Sequence, residues 1–218
     1  MFRGVVFDFD GVIVDSHPVH VCAWKKFLDS VGRTVSDEQL QFVLDGRKRD
    51  DILRHFMGEL DTAQIVEYGH RKEQFFRDEA ASVRTIEGVL GFLDRLKYEQ
   101  LALAIASSGS RSRVDFLLDM LDMKKFFQVV ITGDEVEQGK PHPAVFLAAA
   151  RHLGIDPPEL MAFEDAASGV RAARSAGMMC VGIAQSDRAA ILVDAGANYV
   201  VPDFQSLSYS KLQQMFVE

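Results

Sequence analysis

The stretch GVVFDFDGVIVDS, residues 4–16, starts as an apolar run and then carries Asp8, Asp10 and Asp15. A near-continuous apolar run is typical of a parallel strand that is covered on both faces. Because side chains two residues apart point to the same side of an extended chain, Asp8 and Asp10 face one site while Phe9 faces the core. The stretch therefore predicts a buried parallel strand with a polar site at its carboxyl end, where open α/β sheets bind ligands.

Five further apolar runs follow along the chain, and helical patterns alternate with them. The runs are LALAIA at 101–106, VVIT at 129–132, LMAFE at 160–164, CVGI at 180–183 and YVV at 199–201. The helical patterns occupy residues 89–97, 111–120, 144–153, 168–176 and 188–195. This alternation predicts an α/β domain with a doubly wound parallel sheet.

Residues 16–82 interrupt the alternation, because they contain no convincing strand pattern. Helical patterns occupy residues 18–31, 36–44, 49–57 and 62–80. Pro18 suits a first helical turn, and Ser36 with Gln39 resembles a capping box. A chain of 218 residues is long for one average domain, so these features predict one domain with a helical insertion after its first strand.

Composition narrows the classes of partner and compartment. The formal net charge of -8 at pH 7 disfavours broad binding to nucleic acid or to an anionic membrane. Cys22 and Cys180 lack metal-binding spacing, so they indicate core thiols in a reducing compartment rather than a zinc site or disulfide. No apolar run is long enough for a membrane helix, and the first residues leave no room for a secretory leader. We expect a cytoplasmic protein that is a monomer or a weak dimer.

The aspartates after the first strand have alternatives to a catalytic role. A calcium loop is disfavoured because Gly11 directly follows Asp10 and the twelfth position from Asp8 is Val19, which offers no carboxylate. Acids of an ordinary turn remain an alternative for an isolated motif of this kind. Two adjacent carboxylates repel, so their pKa values separate, which suits a nucleophile beside a general acid and base.

DFDGVIVDS resembles the first motif of the haloacid dehalogenase-like superfamily, and three more motifs follow in order. Ser107 closes LALAIAS and matches the second motif, Lys140 in GKPHP matches the third, and Glu164 with Asp165 matches the fourth. The resemblance implies a Rossmann-like core of residues 1–15 and 83–218. It also implies a small all-helical cap domain of residues 16–82.

The residues of the second motif also have chemistry of their own. Ser107 precedes Ser108 and Gly109 at the start of a predicted helix, where a hydroxyl and free N–H groups can hold phosphate oxygens. The alternative for Ser107 is an ordinary helix cap.

The third and fourth motifs offer a cation and hard oxygen ligands. The amine of Lys140 is suited to neutralise an aspartyl phosphate, although an exposed lysine is the alternative. Glu164 and Asp165 offer oxygen ligands for Mg²⁺ together with Asp8 and the carbonyl of Asp10, and helix-capping acids are the alternative.

Together the motifs imply phosphoryl transfer through Asp8. In the resembling family, this carboxylate attacks phosphorus and becomes an aspartyl phosphate. Asp10 then moves the proton of the leaving and attacking oxygens, while Mg²⁺ and Lys140 offset charge. The presence of Asp10 argues against the dehalogenase branch. Asp15 is predicted to organise a hinge into the cap.

Two segments of the insertion resemble the β-phosphoglucomutase group: HVCAWKKFL at 20–28 and DGRKRDDIL at 45–53. The resemblance implies that Arg49 grips a distal phosphate, that His20 links cap closure to Asp10, and that Lys72 is a cap lysine of the site. The remaining candidate substrate contacts are Trp24, Gly46 and Arg47. A solvated helix start, a packing tryptophan and a partly buried histidine are the alternatives for these residues.

The stretch SSGSRSR after the second motif departs from the mutase group. That group usually carries a basic residue and an asparagine where this chain has Ser110 and Arg111, and Arg111 is predicted to replace their phosphate contact. Ala166 likewise stands where the group usually has serine. The favoured prediction is a sugar phosphomutase that interconverts hexose 1-phosphate and 6-phosphate. The alternatives are a phosphatase of a small sugar phosphate or other phosphorylated metabolite, and a catalytically silent binding protein.

Overall fold

The computed structural model describes residues 2–217 and contains a six-stranded sheet beside a two-stranded one. The strands in chain order are β1 (Gly4–Phe7), β2 (Val14–Asp15), β3 (Arg84–Thr85), β4 (Ala102–Ala106), β5 (Val129–Ile131), β6 (Leu160–Glu164), β7 (Met179–Ile183) and β8 (Tyr199–Val201). The large sheet is parallel throughout and has the order β5-β4-β1-β6-β7-β8. Each predicted strand is present, and β1 lies near the centre of the sheet.

Ten α-helices connect or flank these strands within residues 2–217. They are α1 (His17–Ser30), α2 (Asp37–Leu40), α3 (Arg49–Met57), α4 (Thr62–Glu79), α5 (Val89–Tyr98), α6 (Arg111–Met120), α7 (Ala144–Leu153), α8 (Ala167–Ser175), α9 (Ser186–Asp194) and α10 (Tyr209–Val217). Helix α9 begins two residues before its predicted start, and α10 was not predicted. These are differences in helix ends and number that leave the fold class unchanged.

Alternate residues of β1 enter two separate hydrophobic clusters, one on each face of the sheet. Val5 and Phe7 belong to the cluster that contains residues of α5, α6 and α10. Val6 belongs to the cluster that contains residues of α7, α8 and α9. Because successive strand residues point to opposite faces, helices cover both sides of the sheet. The predicted doubly wound α/β fold is confirmed.

Helices α1 to α4 lie between β2 and β3 and share a third hydrophobic cluster, to which Trp24 and Phe27 contribute. The predicted capping box at Ser36 is present, with reciprocal bonds to Gln39. The helix that follows is α-helical only to Leu40, and residues 41–44 form a 3₁₀ helix. Val43 of the 3₁₀ helix and Leu40, the residue before that helix, are both buried and lie three positions apart, which suits a three-residue turn.

The two ends of the helical insertion meet in the small sheet. β2 and β3 pair antiparallel, with Asp15 opposite Arg84. Asp15 is exposed in this pair, and the division at residues 16–82 into a separate domain stays a prediction.

The state of the two cysteines and the character of the helices also bear on the predictions from composition. Cys22 and Cys180 are both free, and only Cys180 is fully buried. Within residues 2–217, none of the helices combines the length and the apolar composition that crossing a membrane requires.

Candidate active site

The register of the large sheet brings the sequence motifs to one edge. Phe7 of β1 pairs with Ile105 of β4 on one side and with Phe163 of β6 on the other. The residues that follow these three positions therefore lie at the same level of the sheet, which places Asp8 between the ends of β4 and β6. Ser107 and Glu164, which close these neighbouring strands, are both fully buried.

Lys140 lies between Asp8 and Glu164 at this edge. Its Nζ donates hydrogen bonds to Asp8 Oδ1 at 2.7 Å and to Glu164 Oε1 at 2.5 Å. The ammonium is fully buried, so these carboxylates supply the charge that compensates it. The alternative of an exposed lysine does not apply in the structure.

Burial sets the electrostatics of this cluster. It raises the pKa of Asp8 to about 7, with Lys140 opposing the rise and the neighbouring acids adding to it. Burial alone would lower the pKa of Lys140, but Asp8 and Glu164 raise it above its usual value. The pKa of Asp165 is raised well above its usual value by burial and by the charge of Asp8.

Asp8, Glu164 and Asp165 are grouped as a divalent cation requires. Each offers a ligand atom, and these atoms lie within 4.8 Å of one another. Asp165 Oδ2 is buried and accepts no hydrogen bond from any described residue. Three buried carboxylates with one oxygen lacking a donor fit a hard cation such as Mg²⁺, which prefers oxygen ligands. A Cβ at Gly11 would lie 2.5 Å from Asp165 Oδ2, so the glycine keeps this side of the group open.

Asp10 is held by three side chains, two from the start of α1 and one from α6. Arg113 donates from Nη1 to Oδ1 at 2.6 Å and from Nη2 to Oδ2 at 2.7 Å. Ser16 Oγ donates to Oδ1 at 2.6 Å, and His20 Nε2 lies 3.2 Å from the same oxygen. Burial would raise the pKa of Asp10, but Arg113 and His20 hold it well below the usual value. The pKa values of Asp8 and Asp10 separate, mainly through burial and Arg113 rather than through mutual repulsion. The pKa of Asp8 is the raised one and that of Asp10 the lowered one, which is the reverse of the order that a nucleophilic Asp8 and an acidic Asp10 require.

The loop after β4 makes one hydrogen bond within itself and one to the segment before α3. Gly109 N donates to Ser107 Oγ at 3.0 Å, and Ser108 Oγ donates to the Gly46 carbonyl at 2.6 Å. Ser108 and Gly109 line the same cavity as Asp8 and Asp10. The loop thus joins the sheet edge to the segment before α3.

Arg111 does not reach this cavity, which corrects the prediction that it contacts phosphate there. Its Nη2 donates to Glu135 Oε1 at 2.5 Å and to the Val130 carbonyl at 2.7 Å. Arg113 lies in the cavity instead. The helical period contained a signal for this, because Arg113 shares a face with the apolar Leu117 and both are buried.

Residues of the helical insertion form the other wall of the cavity. The predicted residues that line it from the insertion are His20, Trp24, Gly46, Arg47, Arg49 and Lys72. The structure therefore brings the predicted insertion residues to the site of Asp8 and Asp10.

One of these residues, His20, contacts Asp10 directly, and Lys72 contacts His20. Lys72 Nζ lies 3.2 Å from His20 Nδ1 and 5.5 Å from the centre of the Trp24 ring. Burial lowers the pKa of Lys72 to about 8, and burial together with Lys72 lowers the pKa of His20 to about 3. His20 is therefore neutral at pH 7 and links Lys72 to Asp10. Trp24 is buried and both packs and lines the cavity.

The basic cluster before α3 is paired with its own acids. Arg47 Nε lies 2.8 Å from Asp45 Oδ2, and Arg49 Nη2 lies 3.2 Å from Asp50 Oδ1. All four of these side chains are partly exposed. Surface pairs of this kind are weak, so an anionic ligand can compete for the guanidinium groups.

Sequence reasoning missed several groups of the site. Besides Arg113 these are Ser16, His17, Glu73 and Arg188. His17 Nε2 lies 3.3 Å from Asp165 Oδ2, and Arg188 Nη1 lies 3.9 Å from the same atom. The contacts of His17, Glu73 and Arg188 join separate parts of the chain and leave no local pattern, whereas Ser16 is only six positions from Asp10.

The family model of haloacid dehalogenase-like hydrolases matches residues 5–183. The chain belongs to this family. The match confirms the resemblance that the four motifs indicated. It spans the predicted nucleophile position and the acidic pair after β6.

Two curated relatives and one solved structure show the range of this similarity. A phosphorylated carbohydrates phosphatase of Thermotoga maritima is 29% identical over 213 residues, covering 96% of this chain and 98% of the relative. A β-phosphoglucomutase of Bacillus subtilis is 29% identical over 221 residues, covering 97% and 94%. The structure of a β-phosphoglucomutase from Clostridium difficile superposes with a TM-score of 0.89 at 23% identity, covering 100% and 98%. These matches confirm an enzyme of the phosphotransferase or phosphatase class within the haloacid dehalogenase-like family.

Proposed function

We propose that this haloacid dehalogenase-like enzyme transfers the phosphoryl group of a small phosphorylated carbohydrate through an aspartyl phosphate on Asp8. The observation that carries the proposal is the position of Asp8 at the sheet edge, 2.7 Å from Lys140 and within the cluster of three carboxylates. The names of the relatives, a phosphorylated carbohydrates phosphatase and a β-phosphoglucomutase, support the substrate class.

The proposed reaction has two balanced halves. An Asp8 oxygen forms a bond to phosphorus while the bond from phosphorus to the leaving oxygen breaks. Asp10, which is ionised beside Arg113, takes up a proton with the substrate and gives that proton to the leaving oxygen. In the second half an acceptor hydroxyl attacks the phosphorus, its proton passes to Asp10, and Asp8 is regenerated. Lys140 offsets negative charge at Asp8, and Ser107 and the N–H groups after it hold phosphoryl oxygens.

Asp8, Asp165, Glu164 and the carbonyl of Asp10 are the groups proposed to hold Mg²⁺. When bound, the ion would neutralise charge on the phosphoryl oxygens and lower the pKa of Asp8. Asp165 Oδ2, which is buried and accepts no hydrogen bond from the described residues, supports this assignment.

Replacing Asp165 with asparagine is expected to weaken Mg²⁺ binding by at least about tenfold, because a neutral amide replaces a charged oxygen ligand. The measurement is the rise in melting temperature as Mg²⁺ is added to metal-free protein, which reports binding without any assay of activity. Asp194, an exposed acid on α9, gives the matched control Asp194→Asn. An unchanged Mg²⁺ titration in Asp165→Asn would contradict the assignment.

The favoured outcome of the transfer is mutase chemistry on a hexose phosphate. A mutase must bind a second phosphate while the first is exchanged, and Arg49 and Arg47 line the cavity opposite Asp8. Their weak pairing with neighbouring acids supports release toward an anionic ligand. Residues 16–82 are proposed to act as a cap that carries this second anion site.

A phosphatase is the second candidate, and the position of Arg111 favours it. The guanidinium is held by Glu135 and Val130, so the cavity lacks the basic residue that the mutase group carries after the second motif. Incubation with β-glucose 1-phosphate and a bisphosphate primer separates the outcomes. Glucose 6-phosphate indicates the mutase, whereas inorganic phosphate alone indicates the phosphatase.

Replacing Arg49 with alanine is expected to lower glucose 6-phosphate formation by about 100-fold while phosphate release falls by less than about threefold. The loss of one charge-assisted anion contact accounts for a change of this size. Both products are measured in the primed assay. Arg54→Ala, which removes an exposed arginine of the same helix, is the control. If both products fall equally, the role of Arg49 as a second-phosphate clamp is wrong.

A further inference from the structure

We infer that Arg113 is a positioning residue that orients Asp10 for proton transfer to the leaving oxygen and connects this aspartate to helix α4. The inference rests on the proposed function, because it assigns a role within the same reaction. It concerns a residue that none of the four motifs contains.

The contact between Arg113 and Asp10 fixes both the distance and the plane of the carboxylate. Two parallel N–H donors, at 2.6 and 2.7 Å, reach the two Asp10 oxygens. A fork-to-fork pair of this kind adds directional specificity to charge attraction. Ser16 and His20 contact only Oδ1, so Arg113 alone among these three holds Oδ2. Without it the carboxylate loses the contact that sets its rotation.

Arg113 itself is held rigidly enough to act in this way. Its side chain is buried, and it leaves from the first turn of α6. The guanidinium lies directly against the loop after β4, where a Cβ at Gly109 would be 2.0 Å from Nη2. Only glycine leaves room for this approach. The second-motif loop is therefore shaped around the guanidinium, and Ser107 Oγ lies on the same side of Gly109.

The far side of the guanidinium faces helix α4. Glu73 Oε1 lies 3.8 Å from Arg113 Nε, and Arg113 Cζ lies 5.1 Å from the centre of the Phe76 ring. Glu73 Oε1 is buried and accepts no hydrogen bond from the residues that the structure describes. A shift of α4 therefore changes the surroundings of Arg113 and, through it, of Asp10. The Arg113 side chain contacts three parts of the molecule, namely the insertion, the second-motif loop and the segment after β1.

This role predicts a dependence on the leaving group. A leaving oxygen that is a weak base departs without a proton, whereas a strongly basic one needs Asp10 as a general acid. Misplacing Asp10 therefore slows transfer to Asp8 mainly for basic leaving groups, and we expect this loss to outweigh the easier protonation of Asp10 that removal of a neighbouring cation brings. A purely structural role of Arg113 would slow all substrates by the same factor.

The test compares kcat/KM for p-nitrophenyl phosphate and phenyl phosphate, two probes of similar shape whose leaving phenols differ in basicity. With Arg113→Ala, kcat/KM for phenyl phosphate is expected to fall at least about tenfold further than for p-nitrophenyl phosphate, within the range that general acid catalysis supplies. Arg113→Lys keeps the charge without the fork and is expected to give a smaller difference in the same direction. Free guanidinium chloride at low concentration, compared with equal sodium chloride, is expected to restore part of the Arg113→Ala loss on phenyl phosphate.

Arg77→Ala is the matched control. Arg77 also joins α4 to α6, through the Ser112 carbonyl and the Phe116 ring, but it is exposed and outside the cavity. Its removal is expected to leave the ratio of the two kcat/KM values unchanged.

Equal losses on both probes in the Arg113 variants overturn the inference. If Asp8→Asn leaves either activity intact, the proposed function itself fails, and the two failures are thereby distinguished. Should Arg113→Ala not fold, Arg113→Lys carries the same comparison.

Discussion

Asp8→Asn is expected to lower kcat for phosphate transfer by about 10⁴-fold or more, the scale of loss on removing a covalent nucleophile. The amide oxygen is neutral and therefore a far weaker nucleophile toward phosphorus than the carboxylate. The change keeps the shape of a buried side chain, and Lys140 retains its bond to Glu164. The loss is therefore expected in a folded protein, which circular dichroism of the variant checks alongside the rate.

The control for this prediction is Asp15→Asn, an exposed aspartate from the same opening stretch that lies in β2. It is expected to keep its activity within about twofold, as for other surface changes. Beryllium fluoride with Mg²⁺ is expected to bind wild-type protein through a bond from an Asp8 oxygen to beryllium, which mimics the aspartyl phosphate, and to raise its melting temperature, with no rise in Asp8→Asn. Absence of this complex in the wild type, together with no loss of activity in the variant, would favour the catalytically silent binding protein.

The fold was predictable because its signals are local. Each strand of the large sheet is a short apolar run, and the residues of β1 alternate between two covered faces. The polar positions were predictable for the same reason: Asp8, Ser107 and Glu164 directly follow or close such runs. Parallel strands bring their carboxyl ends to one edge, so sequence order alone placed these groups together.

Arg113, the partner that contacts both oxygens of Asp10, was not predictable by this reasoning. Arg113 is more than a hundred positions away along the chain, and its contact depends on which face of α6 turns toward the loop after β1. The stretch SSGSRSR offers two arginines, and the resemblance to the mutase group favoured Arg111. The structure places Arg111 against Glu135, because that acid and the Val130 carbonyl supply acceptors beside the start of α6.

Only some of the contacts between the insertion and the core could likewise be predicted from the sequence. The resemblance led to His20, Arg49 and Lys72, but nothing in the sequence indicated that Glu73 faces Arg113. The pairing of a buried carboxylate with a buried guanidinium is set by how α4 packs over α6. It therefore became visible only in three dimensions.

Lys140→Met is expected to reduce both activity and stability, and the loss of stability is expected to depend on pH. Methionine fills a similar apolar space beside Phe146, but it leaves Asp8 and Glu164 without their shared cation. In metal-free buffer at pH 8 the free energy of unfolding is expected to fall by about 3–5 kcal/mol, the cost of breaking a buried pair. The kcat is expected to fall by about 10²–10³-fold, as when one charge-stabilising group is removed from an active site.

The sign of the pH dependence follows from the raised pKa values. Burial raises the pKa of Asp8 to about 7 even beside Lys140, and it also raises the pKa of Glu164. A carboxyl group whose pKa is raised on folding favours the folded state while it is protonated and opposes it as pH rises through the folded-state pKa. Without Lys140 both values rise further, so the difference in unfolding free energy between wild type and Lys140→Met should widen from pH 5 to pH 8.

Urea unfolding at the two pH values measures this difference in unfolding free energy. Lys25→Met, which replaces an exposed lysine, is the control, and its unfolding free energy is expected to change by less than about 0.5 kcal/mol. Added Mg²⁺ should narrow the gap at pH 8, because it supplies positive charge to the same carboxylates. A gap that is equal at pH 5 and pH 8 would show that Lys140 acts through packing rather than through the charges of Asp8 and Glu164.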